Sequence, residues 1–134
     1  MAGKITISTL NNDTGVLATQ NGMTGIAKAW VNFTGGDGNT AGTIVTSYNV
    51  SSITVNGTGD YTVTFTTSMP SANYVIAGTA SRSDPGNGPF SLCVTPSTAP
   101  TSSAVRVITG YGGSRASAGS PNNCVNACVA ILSS

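Results

Sequence analysis

Apolar and polar residues alternate along most of this chain with the period of two that a half-buried strand requires. In "IAKAWVNFT", Ala27, Ala29, Val31 and Phe33 share one face, and Lys28, Trp30 and Asn32 take the other. Trp30 therefore points away from a face of small core residues, toward a second interface. "TIVTSYNV" continues the pattern through Tyr48 and Val50. A regular hairpin follows. Ile53 and Val55 lead into "NGTGD", Tyr61, Val63 and Phe65 return on one face, and Thr62, Thr64 and Thr66 take the solvent side. Asn-Gly favours a tight turn because both residues tolerate positive φ. The second glycine, Gly59, predicts a slightly longer loop from Gly57 onward.

"YVIAGTASR", "FSLCVTP" and "AVRVITGYG" read as further strands, separated by the loops "SDPGNGP" and "STAPTSS". "GSRASAGSPNN" is a third loop, and the closing "VNACVAIL" is apolar on both faces, which predicts a central strand. Breaks recur about every eight to twelve residues, the spacing of an all-β sandwich. Residues 26–134 are thus expected to form an antiparallel β-sandwich of about seven to eight strands.

Residues 1–25 differ. "KITISTL" alternates around Ile5 and Ile7, but "NNDTGVLATQNGMTG" is turn-rich, with too few aliphatics for a core of its own. It reads as an extended N-terminal arm for attachment or subunit exchange. Ile5, Ile7, Leu10, Val16 and Leu17, with Trp30 of the body, are its candidate interface residues. An arm of this kind repays its ordering entropy only against a partner or a neighbouring subunit.

Charge changes the picture most. Charged residues make up 7% of the chain, its net charge is +1, and it has no histidine; an average soluble protein is ~25% charged. Five scattered cations cannot release enough counterions to bind nucleic acid, nor form a basic face for a membrane surface. No apolar run approaches the ~20 residues of a membrane span. Near-zero net charge favours association. The first residues lack the apolar core of a secretory signal, so synthesis and folding in a cytosol are expected, in agreement with three cysteines, an odd count. If "NCVNACVAIL" is a strand, Cys124 and Cys128 lie on one face ~13 Å apart, too far for a disulfide. Three cysteines without histidine lack a usual fourth zinc ligand.

Candidate chemistry is sparse. Asp13, Asp37, Asp60 and Asp84 all sit in or beside turns, where aspartate caps local backbone groups; Arg82 and Asp84 could form a surface pair of little consequence. Without histidine there is neither a Ser-His-Asp triad nor a Cys-His pair. "GGDGNTAG" lacks the lysine of a phosphate loop and the acidic ligands of a calcium loop. No enzyme activity, cofactor or metal is expected. Tyr111, beside loop glycines and Arg115, is a candidate receptor-facing pair, since tyrosine offers apolar area and a hydrogen bond together.

"KAWVNFTG" at Lys28–Gly35, followed by "SYNVSSITVNGTGDYTVTFTTSMPSANY" at Ser47–Tyr74, resembles a module of bacteriophage tail fibres and related virion proteins. "NGMTGIAKAW" and "VNACVAIL" are similar to the same family, and the resemblance covers roughly residues 20 to 80 best. It implies a non-enzymatic virion structural protein: a homotrimeric, fibre- or knob-like protein on the virion surface, contacting other capsid or tail proteins and a host glycan or receptor. The chain lacks the long shaft that usually precedes the module, which leaves a capsid decoration (cement) protein as the alternative. A glycan-binding module using Trp30 or Tyr111 is the reading from another class.

Overall fold

Strict alternation becomes strict sidedness once the chain pairs. The computed structural model describes residues 26–35, 42–82, 90–112 and 121–133. The expected arm strand around Ile5 and Ile7, with Leu10, Val16, Leu17, Asp84 and Arg115, lies outside them. The described residues form eight strands: β1 (Ala27–Thr34), β2 (Thr43–Tyr48), β3 (Val50–Gly57), β4 (Asp60–Phe65), β5 (Val75–Ser81), β6 (Phe90–Val94), β7 (Ala104–Tyr111) and β8 (Asn126–Leu132). They form two four-stranded antiparallel sheets, ordered β2-β1-β8-β5 and β3-β4-β7-β6. No helix occurs among the described residues. The chain is thus all-β, as its alternation and turn spacing predict, and β8 is an interior strand.

The inner faces meet in one core. Ala29, Val31 and Phe33 of β1 and Ala127, Val129 and Ile131 of β8 pack toward Ile53, Tyr61, Val63, Phe65, Val105 and Val107 of the other sheet. Phe33 and Tyr61 meet edge to face at 5.3 Å between centroids, the arrangement that aligns a ring's positive edge with its neighbour's negative face.

Three expectations are corrected. Lys28 is not on the outer face; it is 1% exposed. Ala27 pairs with Leu132 and Ala29 with Ile131, so β1 carries an extra residue there, and the bulge turns Lys28 inward. The same shift leaves Ala27 only half-buried. Gly57 is not part of a longer loop: it pairs with Asp60, and the turn is Thr58–Gly59 alone. Gly59 has φ +65°, and a Cβ there would collide with the backbone of Thr109 and Asn122. Finally, Cys124 precedes β8 and is buried, whereas Cys128 is exposed on the strand's outer side. The two do not share a face. All three cysteines are free thiols.

"TIVTSYNV" also divides where its sequence shows no break. Asn49, at φ +55°, ends β2 in one sheet and starts β3 in the other. Asparagine tolerates this left-handed backbone because its short side chain can bond locally. Here Nδ2 donates to the carbonyls of Lys28 and Thr67, both at 3.0 Å, and Oδ1 accepts from the Thr67 N–H at 2.7 Å. The corner is thereby tied to β1 and to the end of β4.

Candidate contact face

Two groups of the core, Cys124 and Tyr61, are shielded by burial. Burial pushes the Cys124 thiol up from its ordinary pKa, which removes the thiolate a nucleophile needs. Tyr61 is fully buried and its hydroxyl is pushed up to about 12, chiefly by burial. Its Oη lies 3.3 Å from Asn123 Oδ1, which also accepts the Gly59 N–H at 2.7 Å. Thr109 Oγ1 donates to the Asn122 carbonyl at 2.8 Å, and the Thr109 N–H to the Gly59 carbonyl at 2.7 Å. These bonds clamp the hairpin turn onto the segment before β8, a structural task.

Asp60 is more than a turn residue. Arg106 on β7 grips it with two parallel bonds, Nε to Oδ1 at 2.7 Å and Nη2 to Oδ2 at 2.6 Å. That hydrogen bonding, more than charge attraction, lowers the carboxyl pKa. Asn56 Nδ2 adds a bond to Oδ1 at 3.3 Å. Among the described residues no group of three histidine, cysteine, aspartate or glutamate side chains could hold a metal.

The two outer faces differ sharply in chemistry. On the β3-β4-β7-β6 sheet the outward residues include Thr54, Asn56, Thr62 and Thr64, with the Arg106–Asp60 pair beside them. On the β2-β1-β8-β5 sheet the outward residues bear no charge in the paired rows, and an apolar row runs beside a mixed one. Register aligns Tyr48, Trp30, Ala130 and Ala77 in one row across four strands. The next row is Thr46, Asn32, Cys128 and Thr79. Leu132 and Val75 pair at one end, where Val75 is 65% exposed. Trp30 is 39% and Tyr48 40% exposed. A shallow groove of about 330 Å³ lies between Trp30 and Asn32 of β1, Cys128 and Ala130 of β8, and Ala77 and Thr79 of β5. The Asn32 Oδ1 in its wall is enclosed without a hydrogen-bond partner among the described residues.

Of the residues singled out in the sequence, Trp30 stands at the centre of this face. Tyr111 stands elsewhere, at the end of β7. It is half-buried, meets Phe90 edge to face at 5.6 Å, and carries the Arg82 guanidinium over its ring at 4.2 Å. Its described cationic neighbour is thus Arg82. Tyr48, Val75, Ala77 and Ala130 are face residues that the sequence reading did not single out. Their signal was the doubly apolar "VNACVAIL" strand, which needs cover on both sides. Comparison of the chain with protein-family models, with curated proteins and with solved structures finds no match.

Proposed function

We propose that this chain is a non-enzymatic structural module that assembles through the outer face of its β2-β1-β8-β5 sheet, as a trimeric fibre- or knob-like protein on a bacteriophage virion. The observation that carries the assembly reading is the unequal chemistry of the two outer faces. A four-stranded face that centres Trp30 and Tyr48 on small residues and bears no charged side chain in its paired rows is costly to leave in water. Aromatic anchors amid small residues are what contact surfaces use. The virion part rests on the resemblance of Lys28–Gly35 and Ser47–Tyr74 to tail-fibre modules. Threefold association rests on that resemblance as well.

The face also has a size. Four strands ~4.8 Å apart and about six residues long cover ~400 Å², about half the ~800 Å² per partner of a standard stable interface. Further contact must come from another part of the chain.

Light scattering tests assembly. The wild-type chain is expected as an oligomer at micromolar concentration, and Ala77→Lys, which sets an ammonium in the apolar row, as a folded monomer. A wild-type monomer, or an Ala77→Lys protein that associates as before, would overturn the reading. Cryo-EM of the particle tests its place. Density at the tail or a vertex supports a fibre or knob; regular density over the capsid lattice makes it a cement protein instead.

A further inference from the structure

The four edge strands of the sandwich are not equally protected. Exposed edges present unpaired N–H and C=O groups, and proteins blunt them with bulges, short length, charge or proline. β2 is interrupted by a register shift that leaves Val45 as an extra residue. β3 has two such shifts. β6 is only five residues long. β5 has none of these devices. Its seven residues, Val75–Ser81, pair with β8 in seven consecutive steps without a shift. They include no charge and no proline, and among the described residues β5 pairs on one side only. Arg82, which follows, turns its guanidinium onto Tyr111.

We infer that β5 is an acceptor edge for a strand from a second copy of this chain, and that the strand is Lys4–Leu10. The inference rests on the assembly reading above and names the missing contact. "KITISTL" matches β5 in length and has the period-two pattern of a strand. With Ile7 opposite Ala77 and Ile5 opposite Thr79, antiparallel addition would set Ile7 at the end of the Trp30 row and Ile5 at the end of the Asn32 row, widening the face with apolar side chains.

The chain's path allows this addition. β1 and β5 both run antiparallel to β8, and Ala27 and Val75 both register with Leu132. The chain therefore enters β1 at the end where β5 begins, two strand spacings or ~10 Å away. An antiparallel strand on β5 would finish at that same end. The roughly 15 residues from Asn11 to Gly25 can reach up to ~50 Å. Within one copy they would have to form a loop of a length uncommon in compact domains. Between copies the same length is a natural span, so the neighbouring copy is the donor.

Disulfide trapping tests this in the full chain, on a Cys93→Ser, Cys128→Ser background. Facing Cα atoms ~4.5–5.5 Å apart on paired antiparallel strands lie within the Cα range of about 4.4–6.8 Å that a disulfide spans. Ile7→Cys protein and Ala77→Cys protein are co-refolded and oxidised; Thr79→Cys replaces Ala77→Cys to cover a two-residue slip. The expected product is a band of twice the chain mass containing one of each variant, reversed by reductant. The Ile7→Cys, Ala77→Cys double variant is expected to give a ladder of linked chains. Linking only within single chains would overturn donation between copies. No link from any combination, with scattering still reporting an oligomer, would overturn the strand-acceptor inference and leave the assembly reading in place. No link from a monomeric protein would remove both.

Discussion

Replacing Asn49 by alanine probes the corner that divides one apparent strand between two sheets. The side chain makes three hydrogen bonds, to the carbonyls of Lys28 and Thr67 and from the Thr67 N–H. A typical intramolecular bond contributes ~0.5–1.5 kcal/mol net. Thr67 is exposed, so water replaces its two bonds at the low end of that range; the Lys28 carbonyl lies at a part-buried bond and sits nearer the middle. Together they come to about 2 kcal/mol. Alanine must also hold φ at +55°, which costs an L-residue with a Cβ about 1 kcal/mol or more. Asn49→Ala should therefore destabilise by about 3 kcal/mol. With a urea m-value of ~1–1.5 kcal/mol/M, the unfolding midpoint falls by ~2–3 M. Asn49→Gly loses the same bonds without backbone strain, though a looser unfolded chain offsets part of that relief. It should be milder than alanine by about 0.5–1 kcal/mol. An alanine variant within 1 kcal/mol of wild type, or a glycine variant worse than alanine, would refute the account of the corner.

Two further outcomes follow from protonation. Arg106 holds the Asp60 carboxyl below its ordinary pKa, so its contribution is present above the unfolded value of about 4 and is lost as pH falls through the lower folded value. The stability difference between wild type and Asp60→Asn, measured by urea unfolding, should accordingly shrink below about pH 4; a constant difference would sink the assignment. Tyr61 and Tyr74 are both pushed up to about 12 by burial. Their contribution is present below about pH 10, where free tyrosine ionises, and is lost as pH rises toward the folded value. Part of the tyrosinate absorbance should appear only near pH 12, together with loss of β-sheet circular dichroism. In Tyr61→Phe that late portion should be smaller; if it is unchanged, Tyr61 is not shielded as described.

How far the sequence disclosed the fold depends on how local each determinant is. Period-two alternation is written in neighbouring residues, so the faces of β4 (Tyr61, Val63, Phe65) and β7 (Val105, Val107) were legible. So was the outward direction of Trp30, because "AWVNF" alternates without interruption. Lys28 was misplaced because a bulge depends on how Ala27 and Ala29 meet Leu132 and Ile131, about a hundred residues away. The sheet switch at Asn49 was hidden for a similar reason: the bonds that stabilise its left-handed backbone go to Lys28 and Thr67. Asp60 read as a turn residue because Arg106 lies 46 positions further on. The contact face needed both kinds of information. Trp30 was visible alone, but its row with Tyr48, Ala130 and Ala77 exists only through the register of three strand pairs.

The pairing of Ala27 with Leu132 has a mechanical consequence. The chain enters its first described strand and leaves its last on neighbouring ladders, at one pole of the sandwich. The Thr58–Gly59 turn, Asn123 and Gly35 gather at the opposite pole. A load applied through both strand ends would peel β1 from β8 one rung at a time, like a zipper, instead of shearing all rungs at once. Rungs that open singly yield at a lower force than rungs sheared together, so the domain is poorly suited to serve as a link in a chain under tension.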